Sequence, residues 1–124
     1  MLDIYPTLAD LCGLTPPGNL EGQSLRPLLA NPKARWTKPA ITQQLRPHEG
    51  NQIMGCSLRT ERWRYTEWDG AKAGAELYDH DKDPHEWRNL AGDPKLAKTI
   101  AALKSLLPKS AVESQPLPKR KRKA

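Results

Sequence analysis

The 124-residue chain has no phenylalanine, only two cysteines, and no apolar run near the roughly 20 residues a bilayer-spanning helix needs. Without phenylalanine, the four tryptophans are expected to supply much of the buried area. Cys12 and Cys56 permit one disulfide without implying it, and they match no metal-type spacing, so they do not report a compartment. The chain does not open with a basic stretch followed by a hydrophobic one, so neither a signal peptide nor a membrane anchor is expected.

Twelve prolines break the sequence repeatedly, which favours short elements joined by loops over a long bundle. At this length the chain is one domain at most, burying roughly 60 to 70% of its unfolded surface. The formal net charge is +6, but Lys119, Arg120, Lys121, Arg122 and Lys123 supply five of those charges, so residues 1–118 are close to neutral. The basic character belongs to a tail and not to a folded face. A solvated, disordered terminus is the expectation there, and nucleic acid is not the expected partner.

Asp3 is positioned to cap a first helix whose apolar stripe is Ile4, Leu8 and Leu11, with Gly13 as its left-handed terminator. With nothing before it to pack against, this helix is expected to belong to a larger missing body. After the turn-rich Thr15 to Gly22, Ser24 caps a short helix over Leu25 to Ala30, which Asn31-Pro32 ends. Pro39 to Gln44 reads as a strand and Leu45 to Gln52 as a loop. Ile53 to Thr60 and Trp63 to Trp68 then form a hairpin in which Trp63 and Tyr65 share one face and Arg64 and Thr66 the other.

Glu76 to Asp79 reads as a further strand that runs into Asp83-Pro84-His85-Glu86, a pattern for a capped helix start. The histidines and aspartates here invite a metal reading, but turn and cap chemistry already employs these carboxylates. Asp93-Pro94 repeats the cap-then-proline start, followed by Leu96, Ile100, Leu103 and Leu107 at helical spacing, with Pro108 as the stop. The fold expected is α+β, a small antiparallel sheet of three to four strands packed against a C-terminal helix. The segments are a terminal helix of the missing domain (1–14), a connector with a short helix (15–38), a folded subdomain (39–107) and a disordered basic tail (108–124).

Cys56 to Arg62 fits C-x5-R, the spacing of a phosphatase loop, yet it contains no glycine to let backbone amides converge on an anion and leads into a strand and not a helix. Cys56 is therefore expected to be a small strand side chain, with Arg59 either in a structural ion pair or hydrogen-bonded to neighbouring loops. His48, His80 and His85 belong to no recognised nucleophile arrangement.

Several segments together resemble one family. E-L-Y-D-x-x-x-D-P-x-E-x-x-N-L-A, from Glu76 to Ala91, is similar to the C-terminal signature of the type I sulfatases of the alkaline phosphatase superfamily. D-I-x-P-T-L (Asp3 to Leu8), G-x-x-P (Gly13 to Pro16) and E-G-x-S-L-x-P-L-L (Glu21 to Leu29) stand in that family's order. Met54, Gly55, Ser57, Arg59, Thr60, Arg64, Tyr65, Thr66 and Trp68, with Gln43 or Gln44, Arg46 and Pro47 upstream, resemble its iduronate-2-sulfatase branch.

The resemblance covers Asp3 to about Leu107 and implies the C-terminal subdomain of a sulfuric ester hydrolase. Full-length members use a formylglycine and a calcium ion, and are periplasmic or secreted. The formylglycine motif C/S-x-P/A-x-R and the metal-binding aspartates have no counterpart here, so this chain alone is expected to be non-catalytic, with no cofactor of its own. Its expected partner is the missing catalytic domain, in cis or in trans. Because loops of this subdomain help wall the substrate pocket in the family, Gln44, Arg46 and His48 are the candidates for contacting a sulfated sugar, arginine through paired donors. The competing reading is a small binding module whose basic tail engages nucleic acid or a sulfated polysaccharide.

Overall fold

The computed structural model describes residues 2–108 and the short strand Gln115–Pro116, and it forms two compact units, Met1–Thr37 and Lys38–Ala124. In the first, helix α1 (Ile4–Leu11) ends as expected: Gly13 has φ +67°, its N–H reaches the Asp10 carbonyl at 3.1 Å, and Leu14 N–H reaches the Ala9 carbonyl at 2.8 Å. Its start differs from expectation. Asp3 makes no side-chain cap; its Oδ1 instead accepts the Gln23 backbone N–H at 2.7 Å, tying the helix to the returning chain.

Helix α2 (Arg26–Ala30) follows, with the Ser24 hydroxyl accepting from Arg26 N–H. Asp10 receives Ser24 Oγ at 2.6 Å and Arg26 at 2.8 Å, which hold its carboxyl below the usual range. Pro6, Thr7 and Ala9 are buried, whereas the stripe of Ile4, Leu8 and Leu11 is more than half exposed.

In the second unit, β1 (Ala40–His48), β2 (Asn51–Arg59), β3 (Trp63–Trp68) and β4 (Ala75–Asp79) form an antiparallel sheet in chain order. A 3-10 turn, Pro94–Leu96, with the Asp93 carboxylate accepting Lys95 N–H, opens helix α3 (Ala97–Lys104). The pleat sends Leu58, Tyr65 and Leu77 to one face, where Leu103 of α3 covers them and Leu96, Ile100 and Leu107 pack at the margin. Leu58 and Leu77 have no exposed surface, and burial of each contributes about 1.5–3 kcal/mol. The buried Glu67 receives both the Tyr65 hydroxyl and Lys104 Nζ at 2.8 Å, so one carboxylate links the helix to the sheet.

Three further expectations are corrected. The loop expected over Leu45 to Gln52 is the tip of a hairpin: β1 and β2 pair up to His48 and Asn51, leaving only Glu49 (φ +47°) and Gly50 (φ +81°) as a two-residue turn with both residues left-handed. Pro47 is tolerated because β1 is the outermost strand. The helix expected at Asp83 does not form, because Glu86 has φ +58° and stops the turn, while Asp83 Oδ2 accepts Arg88 N–H at 2.9 Å. Nor do all four tryptophans build the core: Trp87 is 86% exposed and Trp36 36%, leaving Trp63 and Trp68 half-buried. Of the tail expected to be disordered, Pro108 is described, and Gln115–Pro116 (β5) pairs with Asn51 and Gln52. The rest, including the basic run, lies outside the described residues.

Candidate functional site

The face of the sheet opposite α3 carries polar and basic side chains. Register sets Thr42, Ser57 and Thr66 in one row across β1, β2 and β3, and Ala40, Arg59 and Arg64 in the next. With Gln44, Gly55 and Trp68, and with His80 and Glu86 from the chain beyond β4, they line a shallow cavity of about 420 Å³. Ser57 and Thr66 share a hydrogen bond of 2.9 Å.

The left-handed Glu86 that ends the turn aims its carboxylate back at the sheet, taking Arg64 Nη1 at 2.6 Å and His80 Nε2 at 2.7 Å. Arg64 Nε is buried without a partner among the described atoms. Arg59 bonds the carbonyls of Thr60 and Glu61, its own hairpin turn.

Alternation along β1 puts Gln44, Arg46 and His48 on this same face. Gln44 lies opposite Gly55, His48 closes the hairpin opposite Asn51, and the Arg46 guanidinium lies 3.5 Å from the centroid of the Trp68 ring. Sequence reasoning placed Arg64 and Trp68 in a motif without a site role, and gave none to Glu76, His80 or Glu86. Strand alternation in R-Y-T-x-W and E-L-Y-D signals the shared face, but contacts between separate loops are not written in either segment.

Four residues of the signature from Glu76 to Ala91 hold the end of β4 in place. Leu77 fills the core, and Asp79 is gripped by Arg62 Nε at 2.9 Å and Nη2 at 2.7 Å. Asn89 mimics a neighbouring strand: its Oδ1 accepts Leu77 N–H at 3.0 Å and its Nδ2 donates to the Ala75 carbonyl at 3.1 Å. Leu90 N–H continues the pairing onto the Leu77 carbonyl at 2.8 Å.

The phosphatase-loop geometry is absent. Arg62 is committed to Asp79, and Cys56 is buried within β2 between Gln43 and Glu67, where burial pushes its thiol pKa up, opposite to the shift a nucleophile needs. Among the described residues no group of three or more His, Cys, Asp or Glu side chains could hold a metal ion, and the acidic corner is already bonded as above. The described residues therefore do not fit a calcium site. No helix among the described residues is long and apolar enough to cross a membrane.

Residues 1–113 match the family described as N-sulphoglucosamine sulphohydrolase, C-terminal. The chain is 38% identical over 107 residues to a Delta 4,5-hexuronate-2-O-sulfatase of Bacteroides thetaiotaomicron, covering 86% of this chain and 22% of that protein. It is 36% identical over 99 residues to arylsulfatase K of Mus musculus, covering 73% and 18% respectively. A solved 2-O GAG sulfatase superposes with a TM-score of 0.70 at 35% identity, over 84% of this chain and 22% of that one. A structure in complex with its substrate D-glucosamine-2-N,6-O-disulfate gives 0.70 at 30% identity, over the same shares. The chain thus spans about a fifth of the length of the relatives it matches. With the four-stranded antiparallel sheet, its covering helix and the ordered signature accounted for, the chain belongs to the N-sulphoglucosamine sulphohydrolase C-terminal family, the C-terminal subdomain of sulfatases.

Proposed function

We propose that this chain braces a sulfatase active centre and forms one wall of its substrate pocket, that another stretch of polypeptide supplies the sulfate-cleaving groups in cis or in trans, and that alone it releases no sulfate. The observation that carries this reading is the match of residues 1–113 to a C-terminal sulfatase family by a chain spanning about a fifth of its relatives. Formylglycine and calcium belong to that other stretch. The exposed stripe Ile4, Leu8 and Leu11 offers apolar surface for docking it.

The substrate class is a sulfated uronic-acid sugar, by analogy with the hexuronate-2-O-sulfatase relative. Gln44, Arg46 and His48 are its contacts: the amide and imidazole hydrogen-bond hydroxyls, and the arginine fork takes a carboxylate or sulfate through two parallel bonds. The purified chain, incubated with an aryl sulfate and with a 2-O-sulfated unsaturated hexuronate disaccharide in the presence of calcium, is expected to release no sulfate above blank. Sustained release abolished by Cys56→Ala would overturn the proposal.

A further inference from the structure

Arg46 of β1, Gly55 of β2 and Trp68 of β3 form a stack across three adjacent strands. A Cβ on Gly55 would lie 2.3 Å from Trp68 Cζ3 and 2.6 Å from Cε3, so the indole rests on bare backbone that only glycine leaves open. The ring is fixed at its other end, where Nε1 donates to Glu76 Oε1 at 2.8 Å, and Glu76 Oε2 accepts the Tyr78 hydroxyl at 3.4 Å. The Arg46 guanidinium then lies over the ring, 3.5 Å from its centroid. Contact at that distance takes rotamer freedom from the arginine, and a guanidinium laid flat on a ring face keeps its N–H donors, which lie in its own plane, for other partners.

We propose that Trp68, seated on Gly55 and fixed by Glu76, is a positioning residue that holds the Arg46 guanidinium oriented for paired hydrogen bonds to an oxyanion of a sugar, its carboxylate or its sulfate ester. This rests on Arg46 being a substrate contact and adds what sets its geometry. A long, flexible arginine on an edge strand would otherwise lose its side-chain entropy on each binding event; here that loss is taken up in folding.

The test uses the full chain, titrated with a 2-O-sulfated unsaturated hexuronate disaccharide, its desulfated counterpart and a neutral disaccharide, with the Trp68 indole N–H and Arg46 Nε–H resonances followed by NMR. Saturable shifts at both positions with the anionic sugars, and none with the neutral one, are expected. Binding of the desulfated sugar assigns the carboxylate as the bound group, and binding of the sulfated sugar alone assigns the sulfate. Trp68→Leu is expected to raise Kd about five- to tenfold in the wild-type background and to change nothing in an Arg46→Ala background, the non-additivity of a residue acting through another.

Trp68→Phe, which keeps a ring over Gly55, decides the matter if the leucine variant does not fold, with a rise of about two- to threefold that also vanishes without Arg46. Absence of saturable binding by the wild type, equal binding of the neutral sugar, or the same Trp68 effect with and without Arg46 would each overturn the inference. Sulfate release by the isolated chain would instead overturn the proposed function and leave the coupling between the two residues standing.

Discussion

Arg62 holds the Asp79 carboxylate by both oxygens, Nε to Oδ1 at 2.9 Å and Nη2 to Oδ2 at 2.7 Å, and so joins the β2–β3 turn to the end of β4. The hydrogen bonds from Arg62 hold the Asp79 carboxyl pKa below its usual value. With the folded-state pKa depressed, the unfolded chain takes up the proton first as pH falls. The contribution to stability is therefore complete above about pH 4, near the unfolded value, and disappears as pH drops through the folded one. Thermal melts of wild type and Arg62→Met between pH 7 and pH 2.5 should show a lower Tm for the variant near neutrality and convergence at the acid end; a gap independent of pH would refute the linkage.

Gly55→Ala should cost about 1–3 kcal/mol by urea denaturation, since the new methyl group meets a rigid indole and not the far end of a flexible chain. Replacing Trp68 with alanine in the same molecule should remove most of that penalty relative to Trp68→Ala alone. Additive losses would mean that the indole is not what excludes the methyl.

Asn89→Ala strips the N–H of the fully buried Leu77 of its acceptor and should destabilise by about 1–3 kcal/mol. Asn89→Asp keeps the acceptor and loses only the donor to Ala75, so it should cost less. Amide exchange at Leu77 reports the difference directly: fast in the alanine variant, slow in the aspartate one.

The two thiols should separate kinetically. Cys12 is exposed, whereas Cys56 is buried with a raised pKa, so at pH 8 an aromatic disulfide reagent should modify one thiol quickly and the second only on the timescale of opening. In urea both should react together, and fast modification of both in the native chain would contradict the burial of Cys56.

The sequence by itself determined the periodic elements: Trp63 and Tyr65 alternating against Arg64 and Thr66, Leu96 to Leu107 returning at helical spacing, Gly13 and Asp93 marking ends, and the ordered signature that names the family. These are legible because each depends on residues within one or two turns of one another. Tertiary structure alone decided that Glu86 turns left-handed to reach Arg64 and His80 instead of completing a cap, that Glu49 and Gly50 shrink an expected loop to a two-residue turn, and that Arg46 comes to rest on Trp68. The Glu86 and Arg46 contacts join residues 6 to 22 positions apart, and their energies depend on burial and register, which no local pattern encodes.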